Sequence, residues 1–303
     1  MKLSLTIGIS ALNEEGNIGY LVRSLLKQKF DNIKLDKIIV QSDGSTDKTS
    51  EIVRSIKSDK VHLIDNKKRA GLAHRYNQLI KLTNSDVLVL LNADILPKND
   101  NFIKNLVAPV VTGKADMTAA KIEPVKPSNF FENMIAVSMQ LKDEVFDQLN
   151  KGDNIYTCHG PARAFNKAAY SKMRFPDSVG EDAFSYLYVV SKGLKFKYVK
   201  NSVAIYKLPD NFKDHRKQSV RFQHSITRFQ PHFDSQFIER QYMIDYPQLA
   251  KTTLKYCMKY PLEMISYLVL TGYLKVDSMI SGPTANQFQT ASSSKVLLNG
   301  GAK

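Results

Sequence analysis

"DVLVLLNADILP", residues 86–97, carries five apolar residues in a row, 87–91, into an Asn, an Ala and an Asp. An unbroken apolar run of this length fits a strand covered on both faces, the pattern of a parallel sheet. Asp94 then stands where the strand runs out, and two readings of it compete. A polar residue there can simply mark a loop. It can also be a ligand-binding group, because the carboxyl ends of strands in open α/β sheets are where ligands bind.

Upstream, strand and helix signals alternate. "LSLTIGIS" (3–10), "KIIVQ" (37–41) and "VHLID" (61–65) read as strands before the fourth at 86–92. "NEEGN" offers an N-cap and first-turn acids for a helix near 18–29. "DGSTDKTSEIVRSI" turns and starts a second helix, and "GLAHRYNQLIKL" (71–82) is a third, apolar at Leu72, Tyr76, Leu79 and Ile80. Such βα alternation predicts a mostly parallel sheet with right-handed crossovers. Beyond residue 100 the pattern loosens into a long helix at 130–149 and shorter strands around 156–165 and 195–206. From about 212 the chain reads as helical, basic and aromatic, ending in a loose tail, "ASSSKVLLNGGAK".

The 303 residues are 43% hydrophobic and 24% charged, which fits a folded soluble enzyme rather than a disordered chain. Lys and Arg outnumber Asp and Glu by 43 to 29, so the net charge of +14 predicts affinity for anions without choosing among them. Two cysteines, Cys158 and Cys257, make no disulfide scaffold and suit a reducing cytosol. No apolar stretch reaches the roughly 18 residues of a bilayer span; "MISYLVLTGYL" (264–274) is too short.

In a parallel sheet the loops after strands one, two and four open on one edge. They carry "ALNEE" (11–15), "SDGSTD" (42–47) and "NADI" (92–95). Asp43 precedes Gly44, where a tight turn would let its carboxylate accept hydrogen bonds from a base or ribose; an Asx-turn closing its own loop is the alternative. In order and spacing, "ISALNEEGNI", "IIVQSDGSTDKTSEIV", "KKRAGLAHRYNQLI" and "DVLVLLNADILP" resemble the nucleotide-binding half of family 2 glycosyltransferases with the GT-A fold. The likeness is strong over about 4–98 and weaker to about 225, through "GED" (180–182) and "QSVRF" (218–222). No G-x-G-x-x-G follows the first strand and no P-loop G-K-[ST] exists, which excludes dinucleotide and P-loop readings.

The resemblance implies a fold and a site. The fold is α/β: a GT-A-type, Rossmann-like sheet flanked by helices in residues 1–225, with a nucleotide half to about 100 and an acceptor half from 101. A helical basic extension follows over 226–303. Donor contacts fall on Ala11, Asn13, Glu14, Asp43, Arg69, Gly71 and Asn92. The D-x-D metal motif maps onto Asn92-Ala93-Asp94, with Asn in place of the first Asp, so Asp94 is the expected Mg²⁺ or Mn²⁺ ligand beside the diphosphate. The acidic pair maps onto Glu181 and Asp182, with Asp182 as the base that takes the acceptor hydroxyl's proton and Glu181 beside the acceptor. Both acids could instead only cap the following helix. A single base and a diphosphate leaving group imply direct displacement with inversion. Gly160 allows close backbone approach on the acceptor side. Gln218 and Arg221 match the Q-x-x-R-W motif, with Phe222 for Trp, and Arg221 would clamp the diphosphate. His215 or His224 is a further candidate for the metal shell. An adjacent Cys158–His159 pair without an orienting acid makes a poor nucleophile.

The expected activity is transfer of one sugar from a nucleoside diphosphate sugar, UDP-linked before GDP-linked, to a hydroxyl of a glycan or lipid-linked acceptor. Cell-envelope, polysaccharide or glycolipid synthesis would use such a step. Two rivals stand: a nucleotidyltransferase, which lacks its Gly-rich basic loop here, and an anion or nucleic-acid binder, which would not gather acids at a sheet edge. No nucleic-acid partner is therefore expected. Lys251, Lys255 and Lys259 form one helical stripe before an apolar segment. That stripe is either solvated or meets an anionic membrane, so the expected location is cytoplasmic with peripheral contact at the inner membrane face left open.

Overall fold

The computed structural model describes residues 2–281 except 178 and 224, and omits the side chains of 220–226 and 278–281. Its first half alternates as the apolar runs dictate: β1 (Leu3–Ala11), α1 (Ile18–Leu26), β2 (Ile33–Asp43), α2 (Thr49–Ser55), β3 (Val61–Asn66), α3 (Leu72–Leu82) and β4 (Val87–Asn92). Next come β5 (Ile95–Pro97), α4 (Phe102–Val111), β6 (Met117–Pro124) and α5 (Phe130–Gln148). They are followed by β7 (Ala162–Asn166), α6 (Lys167–Tyr170), α7 (Glu181–Ser191) and β8 (Phe196–Tyr206). Five helices close the described chain: α8 (Phe212–Gln223), α9 (Ser225–Phe229), α10 (Ser235–Gln241), α11 (Tyr246–Lys259) and α12 (Pro261–Ser281).

The strands form one sheet in the order β3-β2-β1-β4-β7-β6-β8-β5. β3, β2, β1 and β4 are parallel neighbours, so their carboxyl ends share one edge. β7 runs antiparallel to β4 and β6, and β6 is parallel to β8. β5 pairs antiparallel with β8.

β4 explains its own sequence. Val87, Val89 and Leu91 face a core built with α1 and α4, while Leu88 and Leu90 face a second core built with α3 and α7. With both faces dry, alternation would put polar atoms into one core or the other.

Three local expectations differ from what forms. Asn17 caps α1 without a side-chain hydrogen bond, and α1 has no acid in its first turn, because Glu14 and Glu15 lie ahead of it. Residues 155–157 form a 3-10 turn rather than a strand, since the Asn154 side chain accepts from the Tyr156 backbone N–H. The strand at β7 starts only at Ala162. Finally, α4 and β6 lie beyond residue 100, where the sequence pattern loosens, and β5 adds a short strand just ahead of it.

Candidate active site

The loops after β1, β2 and β3 meet at the shared strand edge, each bound to the next. Asn13, in the left-handed region at φ 53°, accepts from the Thr46 backbone N–H at 2.8 Å, and its own N–H donates to Ser45 Oγ at 3.1 Å. The Glu14 N–H donates to Thr49 Oγ1 at 2.7 Å, and the Glu14 carboxylate accepts from Asn17 at 2.9 Å. Asn13 and Glu14 thus brace the loop after β1 against the loop after β2, with Ala11, buried at the end of β1, paired to Ser42.

Asp43 is the hub of the second contact. It is 4% exposed, and its oxygens accept from the Ala70 N–H at 2.7 Å, the Gly71 N–H at 2.9 Å and Arg75 Nε at 2.7 Å. Arg75 continues the network to Lys68 O at 2.6 Å and Gln78 at 2.9 Å. The carboxylate closes another loop rather than its own, so the Asx-turn alternative does not describe it. With three of its roughly four acceptor positions used by the protein, about one is left for a ligand. Gly44, at φ 75°, completes the junction, because a Cβ there would sit 2.8 Å from the Arg69 backbone nitrogen. Arg69 itself is exposed on this loop.

Asn92 and Asp94 flank the turn from β4 into β5. Asn92 accepts from the Tyr76 hydroxyl at 2.8 Å, and its N–H donates to Pro161 O at 3.0 Å. That second bond lays the 158–161 loop along the end of β4. Gly160 in this loop faces the acidic pair: a Cβ there would lie 3.1 Å from Glu181 Oε1 and 3.5 Å from Asp182 Oδ2. Glu181 and Asp182 open α7, and Asp182 Oδ1 also accepts from the Ala183 N–H at 2.7 Å, so the capping role is present beside any other.

Two residues beneath the site were not foreseen. Tyr76 is fully buried; burial pushes its phenol well above the usual range, and the Glu181 and Asp94 carboxylates add to that rise. Arg163 on β7 is fully buried, donating to Glu181 O at 2.6 Å and Ser185 Oγ at 2.9 Å. Its guanidinium lies 5.5 Å from the Tyr76 ring centroid and 5.9 Å from that of Phe175. Burial would lower the Arg163 pKa, but Tyr76, Glu181, Cys158 and Asp182 outweigh it and raise the value. The only sequence signal was an arginine among apolar neighbours in "ARAFN".

The remaining candidates serve packing or lie on α8. Burial pushes the Cys158 thiol up to about 12, and its Sγ donates to Asp182 O at 3.4 Å, which suits packing rather than attack. His159 is pulled down to about 4 by burial, with the Lys121 charge adding. His215 is likewise pulled down to about 4; it packs on Phe131 and pairs with Ser219 Oγ at 3.2 Å, so it serves the α5–α8 contact. Gln218 is half-buried on α8, which packs against α9 and α12. The Arg221 and Phe222 side chains, His224 and the tail beyond 281 lie outside the described residues.

Among the described residues no group of three or more His, Cys, Asp or Glu is placed to hold a metal. Asp94 supplies a single hard oxygen donor at the edge. That fits a cation such as Mg²⁺, which takes one or two carboxylates and completes its shell with substrate phosphates and water.

The sequence pattern of glycosyl transferase family 2 matches residues 6–174, more than half of the chain. The chain belongs to that family. A 4,4'-diaponeurosporenoate glycosyltransferase of Staphylococcus aureus is 27% identical over 173 residues, 55% of this chain and 45% of the relative. The match thus spans less than half the length of that relative. Among solved structures, a mannosyltransferase from Pyrobaculum calidifontis in complex with GDP-Man and Mn²⁺ is similar at a TM-score of 0.60. It is 17% identical, covering 94% of this chain and 77% of the other. A glucosyl-3-phosphoglycerate synthase from Mycobacterium tuberculosis with Mn²⁺, UDP and phosphoglyceric acid gives 0.55 at 15% identity, covering 75% and 78%. At these identities the likeness establishes the shared GT-A fold.

Proposed function

We propose that this family 2 chain transfers one sugar from a nucleoside diphosphate sugar to a hydroxyl of a glycan or lipid-linked acceptor, with inversion at the anomeric carbon. One observation carries the reading: the Asn92–Asp94 turn, Gly160 and the Glu181–Asp182 pair are joined in one cluster through Tyr76 and the 158–161 loop. Direct displacement needs positive charge beside the departing diphosphate, which a carboxylate-held cation would supply, and a base near the attacking oxygen.

Donor side first. Asp94, with Asn92 beside it, would hold a Mg²⁺ or Mn²⁺ ion, which when bound neutralises charge on the diphosphate. The solved relatives contain UDP or GDP-Man with Mn²⁺, which supports a nucleotide-sugar donor without choosing the base. The loops fixed by Asn13, Glu14 and Asp43 form the walls of the nucleotide pocket, Gly71 forms its corner, and the exposed Arg69 meets phosphate or ribose. Gln218 and Arg221 on α8 would close over the diphosphate.

On the acceptor side, Asp182 accepts the hydroxyl proton as the oxygen attacks, and Glu181 orients the acceptor. Gly160 lets the loop backbone approach both acids closely on that side.

The test is a donor panel with Mn²⁺ and Mg²⁺, read by mass spectrometry. Free UDP or GDP is the expected product, and pyrophosphate would indicate a nucleotidyltransferase instead. Asp182→Asn should lower kcat by about 10²–10⁴-fold, the usual cost of losing a general base, with donor affinity unchanged. Asp94→Ala should abolish the Mn²⁺ enhancement of nucleotide binding. Full turnover in Asp182→Asn would return that residue to the cap of α7.

A further inference from the structure

The last two described helices are apolar on both sides. Their inner side is ordinary: Tyr256, Met264, Leu270 and Leu274 are buried against α5. Their outer side is not. Leu254, Met258, Leu262, Ile265, Val269 and Val276 are 62%, 73%, 70%, 59%, 68% and 56% exposed. Within α11 the spacing of four, and within α12 the spacings of three, four and seven, keep each set on one line of its own helix. A helix packed on a globular domain normally turns polar residues outward. Exposed apolar lines on two neighbouring helices mark a surface that meets something apolar.

The charges around this line name the partner. Lys251, Lys255 and Lys259 run alongside it at four-residue spacing, all exposed. Lys255 reaches back to Glu144 on α5 at 2.7 Å, and Lys259 stands 4.9 Å over the Tyr260 ring. The acids of the same helices are turned inward. Glu263 accepts from Asn133 at 2.9 Å, and Asp277 pairs with Arg216 on α8 at 2.8 Å. The outward face therefore combines an apolar line with a basic flank. A second copy of the chain docking on this face would bring two lysine stripes together across a two-fold axis, which disfavours self-association. Among the described residues no helix is long and apolar enough to cross a membrane, and the inner face of α12 is already occupied by protein.

We propose that α11 and α12 lie flat in the surface of an anionic lipid bilayer, with the Leu254–Val276 line inserted and the lysine stripe at the headgroups. α12 packs directly on α8, the helix of Gln218, so the bilayer surface would stand one helix away from the proposed donor clamp. This docking stands independently of the glycosyl-transfer reading, because it is measured without donor or acceptor.

The test is sedimentation of the full chain with vesicles of phosphatidylcholine alone or mixed with phosphatidylglycerol. Binding to the anionic vesicles is expected, weakening as salt rises. Lys251→Gln and Lys259→Gln together should weaken it roughly twenty-five-fold, about fivefold for each lysine near the surface, and adding Lys255→Gln should change it less because Lys255 is paired with Glu144. Ile265→Asp with Val269→Asp should remove binding while leaving the melting temperature unchanged, since both side chains are exposed. Absence of binding by the parent chain would overturn the proposal. So would equal binding by all of these proteins, or a lipid-free dimer that Ile265→Asp dissolves.

Discussion

Replacing Asp43 by Ala tests whether this carboxylate holds the site's loops together. The residue is buried with Arg75 at 2.7 Å, the two side chains 5% and 4% exposed. Two further hydrogen bonds, from the Ala70 and Gly71 N–H groups, end on the same carboxylate. Those backbone donors are exposed or half-buried, so water can replace Asp43 there at little cost. The arginine cannot be rescued so easily. It keeps Lys68 O and Gln78 but loses its counter-charge in a buried setting. Removing one partner of a buried pair costs about 3–5 kcal/mol, a large share of the 5–15 kcal/mol that typically stabilises a domain. Denaturant titration of Asp43→Ala should show a loss in that range. Arg75→Met in the same chain should recover part of it, since no unpaired charge is left. Nucleotide binding, measured where both proteins are folded, should stay weak in the double variant, because the 68–71 loop has lost its anchor. A loss below about 1 kcal/mol in Asp43→Ala would refute the hub.

Two other measurements follow from buried polar groups. Gln41 on β2 is fully buried and its amide atoms have no hydrogen-bond partner among the described residues, so Gln41→Met should stabilise the chain by about 1–3 kcal/mol in the same titration. Stability should fall as pH drops from 6.5 toward 4, because His159 and His215, held near 4 by burial, bind fewer protons folded than unfolded. Asp143, raised to about 6 by burial, opposes this between 6 and 3.8, where it binds more protons folded. Melting curves of His159→Gln with His215→Gln should therefore be flatter across that window and those of Asp143→Asn steeper; parallel curves for all three would show that these groups are not linked to folding.

The parallel half of the fold was legible because each strand and helix carries its own period. β1 to β4 and α1 to α3 form within a few residues of their apolar runs, and the shared edge follows from their direction. The stretch from Ile95 to Pro124 was not legible, for local reasons. β5 is three residues long, α4 contains Pro109, and β6 reads "MTAAKIEP", where the small Ala119 and Ala120 form core that no hydrophobic count would notice. In the site, motif spacing located Asp43, Asn92, Asp94 and Gly160, but partners distant in sequence escaped it. Arg75 is 32 residues from Asp43, and only the packing of α3 on the sheet brings them together. Leu254 and Val269 could be read as apolar, but which side of each helix was already taken by α5 could not.

Arg163 resolves a difficulty that the clustered acids create. Asp94, Glu181 and Asp182 gather at one sheet edge, and a donor diphosphate would add more negative charge there. Like charges brought together resist ionisation, yet the proposed roles need each carboxylate ionised. The N-terminus of α7 offsets part of this, since Glu181 and Asp182 occupy its first turn. Arg163 offsets more from below. It is held between the Glu181 carbonyl, Ser185 and two aromatic faces, so its charge cannot swing away to solvent. Placing a full positive charge in a dry interior is costly by itself. Here Tyr76, Glu181, Cys158 and Asp182 together raise the Arg163 pKa despite its burial, so the guanidinium stays charged. The buried arginine thus keeps a fixed positive charge beneath the edge where the acids and a donor diphosphate would meet.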